Sequence, residues 1–463
     1  MKTRVLLFGT HPSQYNGYSK IVYELVSQLA KKADLDMHIY GFQKFSEDKM
    51  HKRSLPDNVT IYDAFANEEP KKQGFGFDQV QDYVKKIKPD ICIVYNDMAV
   101  IHNIVTSLTA CKQSGMNFKI ITYIDQVYLN QKNEFIDFIN KNSDFALLFT
   151  KHWEDSIVEQ GVTIDHDFLP HGLNTQNYYP IPKHICRHYF GFNPKDFLIL
   201  NLNRNQPRKR WDICLKAFAE IVSRYPNENI KMIVGTGFQG AWNLKDIFER
   251  ELKKRSISLA QGMQHLIVLD EPQKLTDEDI NILYNAADIG INTCDGEGFG
   301  LCNFEQAAVG IPQIIPKLGG FLDFFDDNNS MLIEPIMAYY VDNSRDSVAG
   351  EALLCNYIDY VEAIEKYYFE KDLRLRHGEA NRKNILKNYS WVDISNKLYA
   401  IINKVVGGAS VSLLEEVEKI DNTLLEDSNA SVSTPTQSSI SRLQKTKEKQ
   451  IKKLQRKLDK LKT

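Results

Sequence analysis

The strongest chemical signal in the chain is a pair of glutamates, Glu297 and Glu305, that brackets a segment containing Gly298 and Gly300. The segment follows an apolar run expected to be a strand, and it opens an expected helix. Free amides in the first turn of a helix, together with the helix dipole, favour a bound diphosphate, and the glycines permit close backbone approach. Glu305, further along the helix, could accept hydrogen bonds from the vicinal hydroxyls of a ribose.

A simpler interpretation of this segment is a tight strand-to-helix turn with two solvated glutamates. A glycine-rich turn alone is weak evidence for phosphate binding. The two carboxylates favour the ligand-binding interpretation, in which Glu297 is a candidate catalytic residue. The candidate binding residues of the segment are Gly298, Phe299, Gly300, Leu301 and Glu305.

A basic segment, residues 203–210, follows the apolar run 197–202 and precedes an expected helix. Ligands of open α/β sheets bind at the carboxyl ends of the strands, which is where this segment is expected. Arg204 can hold phosphate oxygens bidentately, and Lys209 can supply a point charge. Basic loop clusters are more often solvated surface. Here both segments follow strands of one predicted sheet, which favours a shared anion site.

The first half of the chain contributes two weaker candidates. Gly17 opens a predicted helix after the first strand and could let a bound diphosphate or sugar approach, although Asn16 or Ser19 could equally be a plain helix cap. Asp125 follows the predicted strand 119–124 and could hydrogen-bond a substrate as a candidate catalytic residue. An exposed loop aspartate is the alternative.

Two histidines near these candidates, His152 and His171, are interpreted as structural hydrogen-bonding residues rather than bases. His171 lies in a Pro-His-Gly sequence at the expected junction between two domains.

Short apolar runs alternate with amphipathic stretches, as expected for parallel strands joined by helices. The predicted strands are 5–8, 37–40, 91–95, 119–124, 145–149, 197–202, 231–234, 266–269, 289–292, 313–315 and 331–333. Predicted helices of the first half follow residue 17, with Ile21, Leu25 and Leu29 at helical spacing, and occupy 78–87, 98–110 and 134–141. The proline-containing stretch 171–194 is predicted to connect the two sets of strands.

The predicted fold is therefore α/β, with two Rossmann-like domains that face each other across a cleft, followed by a linker and a helix. The predicted divisions are a first domain at 1–180, a second domain at 181–385, a helix at 386–407 that crosses back to the first domain, a flexible linker at 408–439 and a basic amphipathic helix at 440–463.

The tail has two functional interpretations. Its apolar residues fall close to a three-four spacing amid many lysines and arginines, which is compatible with a weak oligomerising coiled coil or with peripheral docking on anionic lipid or acidic protein. A solvated, partly frayed helix is the alternative. The apolar residues are Ile440, Leu443, Ile451, Leu454, Leu458 and Leu461.

Composition narrows the classes of partner and compartment. The formal net charge of -3 over 463 residues gives no general attraction to nucleic acid. The N-terminal apolar run is too short for a signal sequence or a bilayer span. Seven scattered cysteines without metal-site or redox-pair spacing are typical of reduced, mostly buried thiols, so a cytoplasmic protein is expected.

Together these motifs resemble family four of the retaining GT-B glycosyltransferases, also described as glycosyl transferases group 1, over residues 1 to about 405. The resemblance is most specific at Glu297 to Glu305 and at Arg204 with Lys209. It extends to residues 284–288, 308–312 and 319–320.

The resemblance implies transfer of a hexosyl unit from a UDP- or GDP-linked sugar to an unknown acceptor hydroxyl, with retention of configuration. It places the donor on the second domain, Glu297 near the donor sugar, Glu305 at the ribose and the loop 270–274 at the base. Neither a cofactor nor a metal is expected, since basic residues replace the cation and no acidic metal-binding pair is evident.

This chain departs from the family in two places. Many members have a histidine where Asp125 stands, and a glycine pair where only Gly17 is present. Two rivals stay open. One is a sugar epimerase or phosphorylase, since the same fold hosts several chemistries. The other is a non-catalytic nucleotide-sugar-binding or scaffold protein, which is compatible with Asp125 in place of the histidine.

Overall fold

A computed structural model describes residues 2–14, 16–44, 53–68 and 73–407. Its first half contains a seven-stranded, fully parallel sheet with strand order β3-β2-β1-β4-β5-β6-β7. The strands are β1 (Thr3–Thr10), β2 (Leu35–Phe42), β3 (Val59–Asp63), β4 (Ile91–Asn96), β5 (Lys119–Ile124), β6 (Phe145–Leu148) and β7 (His166–Phe168).

Helices cover both faces of this sheet, because its central strands are apolar on both sides. Val5 and Leu7 pack into one core cluster, whereas Leu6 and Phe8 pack into another. Burial on both faces is typical of parallel sheets. The helices of this half are α1 (Gly17–Leu29), α2 (Val80–Ile87), α3 (Met98–Gln113), α4 (Asn133–Asn142) and α5 (Lys151–Glu159).

The second half contains a six-stranded parallel sheet with order β10-β9-β8-β11-β12-β13. Its strands are β8 (Phe197–Asn201), β9 (Ile230–Val234), β10 (Leu266–Val268), β11 (Ile289–Ile291), β12 (Gln313–Pro316) and β13 (Met331–Ile333). The helices that accompany it are α6 (Lys183–Phe190), α7 (Trp211–Arg224), α8 (Leu244–Lys253), α9 (Leu259–Met263), α10 (Asp277–Ala286), α11 (Leu301–Ala308), α12 (Tyr357–Phe369) and α13 (Lys371–Asn388).

The predicted α/β class with two Rossmann-like domains is confirmed. Every predicted strand is present, with the predicted ends at 119–124 and 331–333 and shifted ends elsewhere. The sequence reading missed β3 and β7, which lie at the two edges of the first sheet. Neither strand contains a fully buried residue, so both lack the apolar run by which the other strands were recognised. The helix α6 was also missed, since it falls inside the proline-containing stretch expected to be a connection.

An unpredicted antiparallel hairpin, β14 (Pro335–Val341) with β15 (Gly350–Cys355), joins the second half to the first. Glu351 N donates to Leu129 O at 2.7 Å, and Leu129 N donates to Glu351 O at 3.2 Å. The Asn130 side chain adds a hydrogen bond of 2.8 Å to the Glu351 carboxylate. The hairpin thus holds the loop that follows β5, the strand that ends next to Asp125.

The last described helix, α14 (Trp391–Gly407), lies against the first half. Lys397 forms an ion pair of 2.7 Å with Asp167, and Leu173 N donates to Tyr389 O at 2.8 Å just before the helix. The predicted linker 408–439 and basic helix 440–463 lie outside the described residues.

Two further features concern the expectation of reduced, mostly buried thiols and the question of a membrane span. All seven cysteines are free, and six are buried, with Cys302 intermediate. Among the described helices, none combines the length and apolarity that crossing a bilayer requires.

Gly172 tests the packing of α14 against the first half of the chain. A methyl group there would lie 2.6 Å from Trp391 Cδ2 and 2.9 Å from Trp391 N. We expect Gly172→Ala to lower the free energy of unfolding by about 1–3 kcal/mol through overpacking, measured by urea unfolding. Gly407→Ala is the matched control, because a methyl there meets nothing within 4 Å. Equal stability of the two variants would contradict this packing.

Candidate active site

A cleft of about 530 Å³ lies between the carboxyl ends of the two sheets. Both halves contribute to its lining, and nine of the ten residues predicted from sequence are part of it. They are Gly17, Asp125, Arg204, Lys209, Glu297, Phe299, Gly300, Leu301 and Glu305. Gly298, the tenth, does not line the cleft but lies next to Asp125, which does.

Glu297 is buried between two cations from the loop after β8. Lys209 Nζ donates to its Oε2, and Arg208 donates to its Oε1 at 3.3 Å. Burial alone would raise the pKa of Glu297, but the charges of Lys209 and Arg208 outweigh it and lower the pKa to about 2. The carboxylate is therefore ionised at any physiological pH. Arg208 was part of the predicted basic segment but was not singled out.

Gly298 is required by Asp125. A methyl at Gly298 would lie 1.8 Å from Asp125 Oδ1, so only glycine leaves room for that carboxylate. The other oxygen, Oδ2, accepts a hydrogen bond from the Tyr18 hydroxyl, while buried Oδ1 has no partner among the described residues. Burial raises the pKa of Asp125 to about 6, against the lowering effect of Tyr18 and Arg208.

The start of α11 faces the helix α1 of the first half. Gly300 caps α11 with a left-handed φ of 84°, and a side chain there would collide with the ring of Phe321. From the other half, Gly17 lies so close that a methyl on it would be 3.3 Å from Leu301 Cδ2. Asn16 caps α1 with a capping box to Ser19, so the predicted cap and the close approach of Gly17 occur together.

Glu305 has an unpredicted partner from the first half. Lys20 Nζ, on α1, lies 2.7 Å from Glu305 Oε1 and 3.5 Å from Asp277, and it also contacts the Tyr178 hydroxyl. The Tyr284 hydroxyl donates to the second oxygen of Glu305 at 3.1 Å. Burial raises the pKa of Glu305, and Lys20 opposes that shift. No local motif marks Lys20, because its partners are far away in the chain.

Arg204 differs from its basic neighbours. Arg208 and Lys209 are paired with Glu297, and Arg210 is paired with Asp212. Arg204 is exposed in the cleft, and its guanidinium has no hydrogen-bond or ion-pair partner in the part of the chain that the structure describes. Of the predicted phosphate-binding pair, it is the residue whose donors are available to a ligand.

The two histidines have different surroundings. His152 starts α5, where its backbone amide donates to Asp323 at 3.1 Å, and its ring does not line the cleft. His171 does line the cleft and is buried, yet neither ring nitrogen has a hydrogen-bond partner among the described residues. The expectation that His171 is a structural hydrogen-bonding residue is therefore wrong for its side chain. Burial lowers the pKa of His171 to about 3.

Trp153, which sequence reasoning did not identify, positions the glutamate segment from the first half. Its indole Nε1 donates to Gly298 O at 2.9 Å and to Glu297 O at 3.2 Å. The backbone of the segment is thus oriented by a residue of α5. Among the described residues, no group of three or more His, Cys, Asp or Glu side chains is arranged to hold a metal ion.

Two Rossmann-like domains with a cleft between their carboxyl edges define a GT-B fold, and solved structures share it. Sucrose-phosphate synthase from Thermosynechococcus elongatus is 13% identical, with a TM-score of 0.67 over 88% of this chain and 100% of that chain. HepE from Anabaena, in complex with UDP and glucose, is 13% identical, with a TM-score of 0.64 over 87% of this chain and 99% of that chain.

The sequence comparisons concern mainly the second domain. Residues 186–340 match the model of the family described as "Glycosyl transferases group 1". A D-inositol 3-phosphate glycosyltransferase from Catenulispora acidiphila is 28% identical over 34% of this chain and 36% of its own length. The human alpha-1,3/1,6-mannosyltransferase ALG2 is 24% identical over 46% of each chain. The chain thus spans about a third to a half of the length of these relatives.

The opposite pKa shifts of Asp125 and Glu297 predict opposite effects of neutralising them. The pKa of Asp125 is raised from 3.8 to about 6 in the folded state. Its contribution to the free energy of unfolding is therefore fully present below pH 3.8 and is lost as the pH rises through 6. Asp125→Asn still accepts from Tyr18 and should increase the free energy of unfolding at pH 7.5 by about 2 kcal/mol. The difference should vanish near pH 4 in urea unfolding experiments.

Glu297→Gln is the matched counterpart. Because the pKa of Glu297 is lowered from 4.5 to about 2, its ion pairs stabilise the fold above pH 4.5, and this contribution is lost as the pH falls towards 2. The variant leaves Lys209 and Arg208 without their carboxylate and should lose about 3 kcal/mol at pH 7.5. Shifts of the same sign in both variants would contradict the assigned electrostatics.

Proposed function

We propose that this protein is a retaining glycosyltransferase that moves a hexosyl unit from a nucleoside-diphosphate sugar to an acceptor hydroxyl without a metal ion. The observation that carries the proposal is the convergence of Arg204, Lys209, Glu297, Glu305 and the start of α11 on one cleft. The family match of residues 186–340 and the GT-B fold support it.

The diphosphate of the donor belongs at the start of α11, beside Arg204. A guanidinium without a protein partner can bind two phosphate oxygens, and the first-turn amides of α11 add further donors. Lys209 and Arg208 lie next to Glu297, so their charges also act on the leaving group. These cations would stabilise the developing phosphate charge in place of a divalent metal.

The donor sugar belongs beside Glu297 and Asp125. Glu297 is fully ionised and can accept hydrogen bonds from sugar hydroxyls, and Asp125 Oδ1 is buried without a partner. We assign retention of configuration to front-face attack, in which the acceptor hydroxyl approaches from the face that the diphosphate leaves. The departing phosphate can then accept the hydroxyl proton, and no protein nucleophile is involved.

The nucleoside belongs further along the second domain. Glu305 would accept hydrogen bonds from the ribose hydroxyls. Pro272, in the loop predicted to face the base, lines the same cleft. Lys20 occupies Glu305 in the structure, so ribose binding requires Lys20 to exchange partners. We assign donor binding to the domain 181–385 and acceptor binding to the domain 1–180. We expect the transfer reaction to take place in the cytoplasm. The donor is a UDP- or GDP-linked sugar.

A second candidate is a nucleotide-sugar-binding protein without turnover. The presence of Asp125 at the place of a family histidine favours it. It predicts donor binding and no product. An assay of hydrolysis and transfer distinguishes the two candidates.

Arg204→Ala tests the diphosphate site. We expect the dissociation constant of UDP or GDP, whichever raises the melting temperature of the wild type, to increase about tenfold to a hundredfold, because a charge-assisted hydrogen bond is lost. Isothermal titration calorimetry measures it. Arg250→Ala, an exposed arginine of α8 that does not line the cleft, is the matched control. Equal affinities of Arg204→Ala and the wild type would contradict this assignment.

The mechanism has its own test. Incubation of UDP- and GDP-sugars with a panel of hydroxyl acceptors should give products whose anomeric configuration, read by NMR, matches that of the donor. EDTA should leave the rate unchanged. Inverted products, or loss of activity in EDTA that is restored by magnesium or manganese, would refute the retaining or the metal-independent part respectively.

A further inference from the structure

We propose that His171 is a specificity-determining residue whose imidazole hydrogen-bonds a hydroxyl group of the donor's hexosyl unit. The inference rests on the proposed function and adds a sugar-recognition residue, on the first half of the chain, to the cleft.

The backbone around His171 is held rigidly at the junction of the two domains. The Tyr123 hydroxyl donates to Leu169 O at 2.6 Å, and Leu169 N donates to Leu148 O at 2.7 Å. On the other side, Leu173 N donates to Tyr389 O at 2.8 Å. A residue fixed from both sides presents its side chain to the cleft in a defined place, as a recognition group must.

The ring of His171 is enclosed by aromatic side chains. Its centroid lies 4.4 Å from that of Phe149 and 4.5 Å from that of Phe299, and the rings of Tyr95 and Tyr123 are about 6 Å away. These neighbours orient the ring by packing, and none of them donates or accepts a hydrogen bond at its nitrogens.

Both ring nitrogens are therefore left without a partner among the described residues, although His171 is only 3% exposed. A buried polar group without a hydrogen bond destabilises the folded state, which is a disadvantage for a purely structural ring. An aromatic residue would fill the same space without that cost. Because His171 lines the cleft, a ligand can supply the missing partner.

The neighbouring residues indicate which part of the ligand that is. Phe299 belongs to the segment between Glu297 and Gly300, where the proposed function places the donor sugar. Asp125 Oδ1, which is also buried without a partner among the described residues, lies close to Gly298. A neutral imidazole, which the low pKa of His171 ensures, offers one donor and one acceptor, and a sugar hydroxyl complements both.

The test separates the sugar from the nucleotide. Affinities are measured by calorimetry for UDP and for UDP-glucose, or for the matching pair of another base and sugar if the wild type turns that donor over instead. His171→Phe keeps an aromatic ring, and His171→Asn keeps a hydrogen-bonding group. We expect His171→Phe to weaken the sugar nucleotide about tenfold and to leave the free nucleotide within about twofold. His171→Asn should recover part of the loss.

Monodeoxy donors identify the hydroxyl. In the wild type, removal of one particular hydroxyl should weaken binding about tenfold, and in His171→Phe that penalty should disappear while the penalties at other positions remain. His102→Ala is the matched control, since His102 also packs on an aromatic ring, 4.2 Å from Phe138, but does not line the cleft.

Three results would overturn the inference. An equal loss of affinity for nucleotide and sugar nucleotide in the His171 variants would indicate a structural role. Unchanged affinities would exclude a contact with the donor. A changed KM for the acceptor alone would indicate that His171 contacts the acceptor instead. Failure of the proposed function is recognised separately, because the wild type itself would then form no glycosylated product, whether or not it binds a sugar nucleotide.

Discussion

The buried ion pairs of Glu297 hold together the two loops from which the second domain builds its half of the cleft. A buried carboxylate is costly unless cations and hydrogen bonds satisfy it. Lys209 and Arg208 satisfy it, and Arg208 also donates to Gly296 O at 2.8 Å. Backbone bonds join the same loops, with Asp295 N donating to Arg208 O at 3.0 Å. This connection positions Arg204 and the start of α11, since Arg204 lies in the first of these loops and α11 follows the second.

The first half of the chain completes the site through contacts to both the backbone and the side chains of the second half. Trp153 holds the carbonyls of Glu297 and Gly298, and the hairpin β14–β15 holds the loop after Asp125. Lys20 adds a charge across the cleft to Glu305. These contacts join the two halves at residues that are expected to bind the donor.

The sequence was sufficient for the features that are local in the chain. Apolar runs identified the central strands. Because ligands of open α/β sheets bind at the carboxyl ends of the strands, Arg204, Lys209, Glu297 and Glu305 could be predicted to share one cleft. It was insufficient where a half-exposed edge strand such as β3 lacks an apolar run, and where a partner is remote. Lys20 has no distinguishing neighbours in the sequence. The unsatisfied ring of His171 likewise exists only because the fold surrounds it with aromatic residues.

Three groups of the cleft lack hydrogen-bond partners among the described residues, and the proposed sugar-nucleotide donor matches each of them. Arg204 offers a guanidinium, Asp125 an acceptor oxygen, and His171 a donor and an acceptor. The two carboxylates near the glycines have pKa values driven apart, to about 2 for Glu297 and about 6 for Asp125, by their different access to cations. A hydroxyl that donates to Asp125 would relieve the cost of its ionisation at neutral pH. An anionic diphosphate joined to a polyhydroxylated ring supplies all three missing partners at once, whereas a free nucleotide supplies only the first.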